Sequence, residues 1–268
     1  MTRYSAMFER LAQEKAGAFV PFVTLGDPTP ELSAKVLRAL IRGGADALEL
    51  GIPFSDPAAD GPTIQLASQR ALQAGVTPDD CWDLIAGVRA ESPDLPIGLL
   101  VYANLVVSPG LDSFYARAAE AGVDSVLIAD VPTLEIAPFA AAAERHGVAP
   151  VLIAPTNLSD ERLEVVASVG QGYTYVVTRK GVTGADDSVC FEHASLLAKL
   201  EQAGAPPPIF GFGISKPEHV RAALASGAAG TISGSAVVRH IQEATSDAAL
   251  LEALEAFVAS MKAATALS

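Results

Sequence analysis

The chain has 268 residues, half of them hydrophobic, and 18 Lys and Arg against 31 Asp and Glu give a net charge of −13. That length suits a single barrel of alternating strands and helices, which commonly takes about 250 residues, and the acidic balance excludes general binding to nucleic acid or anionic membrane, since both select basic patches. Two cysteines, Cys81 and Cys190, exclude a disulfide framework and a cysteine-rich metal site. The first 15 residues carry charges throughout and lack the apolar core of a signal peptide. No apolar run nears the roughly 20 residues of a bilayer span, so the cytoplasm is the default location.

In chain order, the first predicted element is a helix near 4–14, followed by a strand over 18–24. Thr29 ahead of Pro30 and Glu31 has the order of an N-cap and a first-turn proline. The second strand covers 45–52, and the longer stretch before the third has room for an additional helix. Two helices are expected there, one over 62–74 and one opened by Thr77-Pro78-Asp79-Asp80 and running to about Ala90. Strands over 97–102, 125–129, 148–153 and 173–177 follow, with Ser159 before Asp160 and Glu161 as a further helix start. Pro206 to Pro208 read as a turn before a strand over 209–212. Ser215-Lys216-Pro217-Glu218 has the spacing of a capping box for the helix after it. The eighth strand, 231–233, leads into a short helix, and a last helix covers 247–263.

A strand, a helix and two loops take about 30 residues, so this is the rhythm of parallel βα units. The expectation is a single-domain (β/α)8 TIM barrel over residues 1–268 with additional helices. A doubly wound open sheet is the alternative, but Thr24-Leu25-Gly26-Asp27-Pro28 is not the Gly-rich turn that announces one.

Alternation along the second strand puts Leu48, Leu50 and Ile52 on one face and Glu49 on the other, between Ala47 and Gly51. Small neighbours leave space beside a carboxylate near the C-terminal mouth, where barrel active sites sit. A carboxylate in an apolar run needs a partner or a function, so Glu49 is the first catalytic candidate. Asp60 lies in the loop after this strand and admits two readings, a cavity carboxylate or an N-cap ahead of Gly61-Pro62. Asp56 before Pro57 reads as a turn residue.

Glycine-rich loops follow strands six, seven and eight: Gly181-Val182-Thr183-Gly184, Gly211-Phe212-Gly213-Ile214-Ser215 and Ser233-Gly234-Ser235-Ala236. Each glycine alone reads far more readily as an ordinary turn. Together they match the place where barrels bind phosphate, with helix N-terminal amides aimed at the anion. The four histidines, His146, His193, His219 and His240, lack ligand spacing, so no metal site is expected.

The joint pattern resembles the tryptophan synthase α-chain family in order over essentially the whole chain. The resemblance is carried by residues 18–28, by Leu48-Glu49-Leu50-Gly51-Ile52-Pro53-Phe54-Ser55-Asp56-Pro57, by Ala59-Asp60-Gly61-Pro62-Thr63-Ile64-Gln65 and by the three glycine loops. It implies retro-aldol cleavage of indole-3-glycerol phosphate to indole and glyceraldehyde 3-phosphate. Glu49 would be the acid–base residue and Asp60 the partner of the indole N–H. Phe22, Leu100, Leu127, Phe212 and Ile232 would surround the ring, although each also reads as plain core. Tyr175 would be near Glu49, with Thr183 on a lid spanning 181–188. Gly184, Gly213, Gly234 and Ser235 would take the phosphate.

No cofactor is implied for this chain. Pyridoxal phosphate would belong to a β-chain partner in an α2β2 heterotetramer, which would receive indole through a tunnel. The loops 53–60 and 104–110 would face that partner. Two departures stand out: Ala58, where many relatives carry a larger aliphatic residue, and Lys180, where the lid often has a small one.

Overall fold

The computed structural model describes residues 1–177 and 193–267. Its frame is one parallel sheet. The strands are β1 (Ala18–Thr24), β2 (Leu48–Gly51), β3 (Ile97–Val101), β4 (Ser125–Ile128), β5 (Ala149–Pro150), β6 (Leu152–Ala154), β7 (Thr174–Val177), β8 (Pro208–Gly211) and β9 (Gly230–Ser233). They run in the order β5-β4-β3-β2-β1-β9-β8-β7-β6. The two edges, β5 and β6, are one stretch of chain interrupted at Val151. Its first part pairs with β4 and its second with β7, and the Val151 N–H still donates to the Val126 carbonyl at 3.0 Å. The sheet thus closes on itself as a (β/α)8 barrel, as expected, with the predicted strand over 148–153 split by the change of partner at the seam.

Twelve α-helices lie among the described residues. Helix α1 (Arg3–Glu14) plugs the N-terminal end of the barrel with Tyr4, Met7 and Leu11, and α2 (Pro30–Arg42) follows β1. Between β2 and β3 lie α3 (Pro62–Gln73) and α4 (Pro78–Glu91), the expected extra pair. Then come α5 (Ala103–Val107), α6 (Leu111–Ala121), α7 (Ala137–Arg145), α8 (Asp160–Val169), α9 (Ala194–Gln202), α10 (Pro217–Ala225), α11 (Ser235–Glu243) and α12 (Asp247–Ala263). Thr29, Thr77 and Ser159 cap α2, α4 and α8 with their hydroxyls, and Thr77 with Asp80 completes a capping box. Each satisfies a backbone N–H that the first turn leaves without a partner.

Several expectations need correction. The segment 104–110 is not all loop, because its start is the short helix α5. The capping box at Ser215 does not form: Lys216 is the N-cap of α10, without a side-chain cap bond, and Ser215 stands one residue further out. Phe212 is not in a strand, since its φ of 71° turns the chain out of β8. The second strand begins at Leu48 because the residues before it are drawn into a bracket beneath the barrel. There the buried Asp46 carboxylate accepts the Phe19 N–H at 2.9 Å and pairs with Arg10 and Lys262.

The core has two parts. Leu48, Leu50, Val23 and Leu99 pack outward against the helices, while Val20, Phe22, Ala47, Leu127, Tyr173, Tyr175, Ile209 and Ile232 fill the barrel interior. The period of two along each strand deals side chains alternately to these layers. Among the described residues no helix is long and apolar enough to cross a membrane.

Candidate active site

Glu49 points into the barrel. Its strand neighbour in register is Phe22 on one side and Gly98 on the other, and the residue is 1% exposed. The Tyr173 hydroxyl donates to Oε1 at 2.5 Å, and Oε2 is buried with no hydrogen-bond partner among the described residues. Burial pushes the Glu49 pKa from 4.5 up to about 7, against the opposing pull of the Tyr173 hydrogen bond. Two glycines make room for rings that line the cavity with it. A Cβ at Gly51 would stand 2.9 Å from Cζ of Phe22, and one at Gly211 would stand 2.1 Å from the Tyr175 hydroxyl. Both rings occupy space that only glycine leaves open.

Asp60 resolves its two readings. Helix α3 is capped by Gly61 without a side-chain bond, so the carboxylate does not serve as an N-cap. It accepts instead from the Tyr102 hydroxyl at 2.9 Å and lines the same cavity as Glu49. Its pKa rises from 3.8 to about 6, again by burial and against the Tyr102 hydrogen bond. The Tyr102 hydroxyl also accepts the Ala59 N–H at 3.1 Å, and its ring stacks on Phe54 at 5.2 Å. One tyrosine therefore ties Phe54 and Ala59 of the 53–60 loop to the Asp60 carboxylate.

The cavity brings together Phe22, Leu100, Tyr175, Phe212 and Ile232 as apolar wall, with Gly213, Gly234 and Ser235 also lining it. Leu127 is buried in the barrel interior but is not among the cavity-lining residues. It is core, as its alternative reading allowed. Thr183, Gly184, Lys180 and the segment 181–188 lie outside the described residues. Tyr175 does line the cavity, but the tyrosine that donates to Glu49 is Tyr173, two residues earlier on the same interior face.

Sequence reasoning missed Tyr173 and Tyr102 as partners of the two carboxylates, and Ile64, Ile214, Ser215 and Ala236 as lining. Period two could have found the tyrosines: Tyr173 shares a face with Tyr175, and Tyr102 has the parity of Leu100. Ala236 follows Ser235 in the first turn of α11 and was available from position alone.

At the glycine end, α11 begins at Ser235 with Gly234 as N-cap and no side-chain cap bond. Its first backbone N–H groups are thus not taken by a capping side chain, and the helix dipole adds positive potential there. The arrangement offers an apolar cavity lined by two carboxyls of differing proton affinity and by the first residues of α11, whose N-cap has no side-chain bond.

Comparison with known proteins fits this geometry. The family model described as tryptophan synthase alpha chain matches residues 8–266. The tryptophan synthase alpha chains of Vibrio vulnificus and Cronobacter sakazakii are 61% and 58% identical over 266 residues, covering 99% of this chain and of each relative. Among solved structures, the alpha subunit from Legionella pneumophila superposes with a TM-score of 0.87 at 33% identity, over 99% of this chain and 98% of that one. The tryptophan synthase a2b2 complex of Pyrococcus furiosus contains a chain with a TM-score of 0.81 at 34% identity, over 92% and 98%. With its length matched almost end to end, this chain belongs to the tryptophan synthase alpha chain family, an enzyme family of tryptophan biosynthesis.

Proposed function

We propose that the chain is a lyase that splits indole-3-glycerol phosphate into indole and glyceraldehyde 3-phosphate by retro-aldol cleavage. The observation that carries this reading is the buried Glu49 carboxyl, with one oxygen held by Tyr173 and the other without a partner among the described residues, in the same apolar cavity as Asp60. A buried polar atom left without a partner costs free energy, and a ligand that supplies one recovers it.

In this mechanism the indole ring lies between Phe22, Leu100, Tyr175, Phe212 and Ile232, and the phosphate rests on the amides around Gly213, Gly234 and Ser235. Protonated Glu49 gives its proton to C3 of the indole, and the ring nitrogen takes up the positive charge. Ionised Asp60 accepts the indole N–H and stabilises that charge. The bond from C3 to the glycerol carbon then breaks. Its electron pair returns to the ring, the glycerol hydroxyl becomes the aldehyde, and Glu49 recovers the hydroxyl proton. Because the ring itself accepts the electron pair, the reaction asks no cofactor of this chain.

The differing pKa values suit these roles. Near neutral pH Asp60, at about 6, is mostly ionised, while Glu49, at about 7, is poised between its two forms. The reading extends to a partner: a β chain carrying pyridoxal phosphate, in an α2β2 assembly in the cytoplasm, receiving indole by channelling. The docking face would be loop 53–60 and α5. Val107 on α5 is 53% exposed, and Tyr102 links that face to Asp60 through Phe54 and Ala59.

The test is incubation of the purified chain with indole-3-glycerol phosphate, alone and with a β chain. Indole and glyceraldehyde 3-phosphate should form in equal amounts. The kcat/KM profile should be bell-shaped, rising through about 6 as Asp60 ionises and falling through about 7 as Glu49 loses its proton. A substrate whose carbon–carbon bond stays whole under both conditions would overturn the proposal and favour a sugar-phosphate isomerase with a similar anion site.

A further inference from the structure

His219 lies behind the anion end of the cavity and has no part in the reaction proposed above. It is the third residue of α10 and 8% exposed. Its Nδ1 accepts the backbone N–H of Ser215 at 3.3 Å and lies 3.4 Å from the Ser215 hydroxyl. An imidazole nitrogen that accepts carries no proton, so the neutral ring here has its hydrogen on Nε2. Ser215 in turn lines the cavity, two residues after Gly213.

The turn that Ser215 ends has to be held. Phe212 and Gly213 have φ of 71° and 75°, two successive left-handed residues of which the first is not glycine. A conformation of that kind persists only where the surroundings enforce it. Three described contacts do so. The Phe212 ring meets Tyr175 edge-on at 6.1 Å, the Ser233 hydroxyl donates to the Ile214 carbonyl at 2.6 Å, and His219 holds the Ser215 amide. The first two come from the barrel, and the third comes from a helix outside it.

The ordinary account of such a contact is half a capping box: a side chain in the first turn reaches back to an N–H ahead of the helix. Capping would stabilise α10 wherever residue 215 pointed. Here, however, the captured N–H belongs to a cavity-lining residue at the end of a strained turn. We propose that His219 is a positioning residue for the ligand's phosphate group. It fixes the Gly213–Ser215 turn and so sets affinity for the anionic end of the substrate, while leaving the chemistry at the ring to other residues. The inference rests on the phosphorylated-substrate reading above.

Two variants of the full chain test it. His219→Leu removes the acceptor, whereas His219→Asn places an amide oxygen close to where Nδ1 stood. Steady-state kinetics with indole-3-glycerol phosphate would be paired with calorimetric binding of glycerol 3-phosphate and, separately, of indole. For His219→Leu, KM and the glycerol 3-phosphate Kd should rise about tenfold, the size of one weakened hydrogen bond to an anion. Its kcat should stay within about twofold and its indole affinity should hold, the pattern of lost uniform binding. His219→Asn should recover most of the loss. Equal weakening of indole and glycerol 3-phosphate, an unchanged KM, or an Asn variant no better than Leu would each overturn the proposal.

Should His219→Leu fail to fold, His219→Gln replaces it, because its amide reaches past the Nδ1 position. Wild-type KM in that variant would count against His219 in the same way. Glycerol 3-phosphate binding is read without turnover, so a wild-type chain that binds it yet releases no indole indicts the reaction and leaves the positioning claim testable.

Discussion

Two acidic residues three positions apart on one stretch of chain show how the two ends of the barrel differ. Asp46, below the barrel, is met by Arg10, by Lys262 and by the Phe19 N–H. Glu49, inside the mouth, has one phenol and an oxygen that no described residue bonds. Both are buried. The lower end repeats its pattern at Asp124, which takes Arg3, Arg89 and the Ile97 N–H. The upper end repeats its own at Asp60, whose carboxylate has a single tyrosine among the described residues. A fully partnered buried carboxylate braces structure; an under-partnered one stores unmet bonding capacity, which is what a site for chemistry needs.

The sharpest way to break this comparison is Glu49→Gln. The shape stays and the proton is lost, so indole release should fall by about 10²–10⁴-fold while glycerol 3-phosphate still binds. Near-normal turnover in that variant would mean the mouth carboxyl is a core residue like any other. Asp46→Ala probes the opposite end. Chemical denaturation should show a loss of about 3–4 kcal/mol, toward the lower part of the range for a broken buried pair, because Arg10 and Lys262 keep contact with water. The folded fraction should retain its kcat, and a catalytic defect there would blur the division of labour.

The finest test is stability against pH for Glu49→Gln and the wild type. The Glu49 pKa is raised in the folded state, from 4.5 to about 7, so folding holds the proton more tightly than the unfolded chain does. Wild-type stability from this group is fully present below 4.5 and is lost as pH rises through about 7. The Gln variant should therefore gain on the wild type across that window, by at most about 3 kcal/mol, and then level off. A constant difference from acid to alkaline pH would show that Glu49 titrates as it would in water.

Much of the frame was legible because its signals are local. Thr29-Pro30, Thr77 to Asp80 and Ser159 announce helix starts within four residues, and alternation around Glu49 assigns its face without any tertiary information. The partners were less legible. Tyr173 lies 124 residues from Glu49 and Tyr102 lies 42 from Asp60, and no local rule pairs positions so far apart. Asp60 shows the limit most clearly. Ahead of Gly61-Pro62 a cap and a cavity carboxylate look identical, and only the pairing of β2 with β3 brings Tyr102 to it. Ser215 misled for the reverse reason, since its spacing to Glu218 imitates a cap while its place in the fold is on the cavity.

The two glycines that make room for Phe22 and Tyr175 have a practical corollary for anyone wishing to admit a bulkier ring. Positions 51 and 211 are already at the minimum size, with Phe22 and Tyr175 resting in the room they vacate. Enlargement can therefore come only from trimming the aromatic and aliphatic faces themselves, and the same side chains give a bound heterocycle its grip. In this chamber width and adhesion are governed by one set of residues, so a broader clientele should be a weaker-held one.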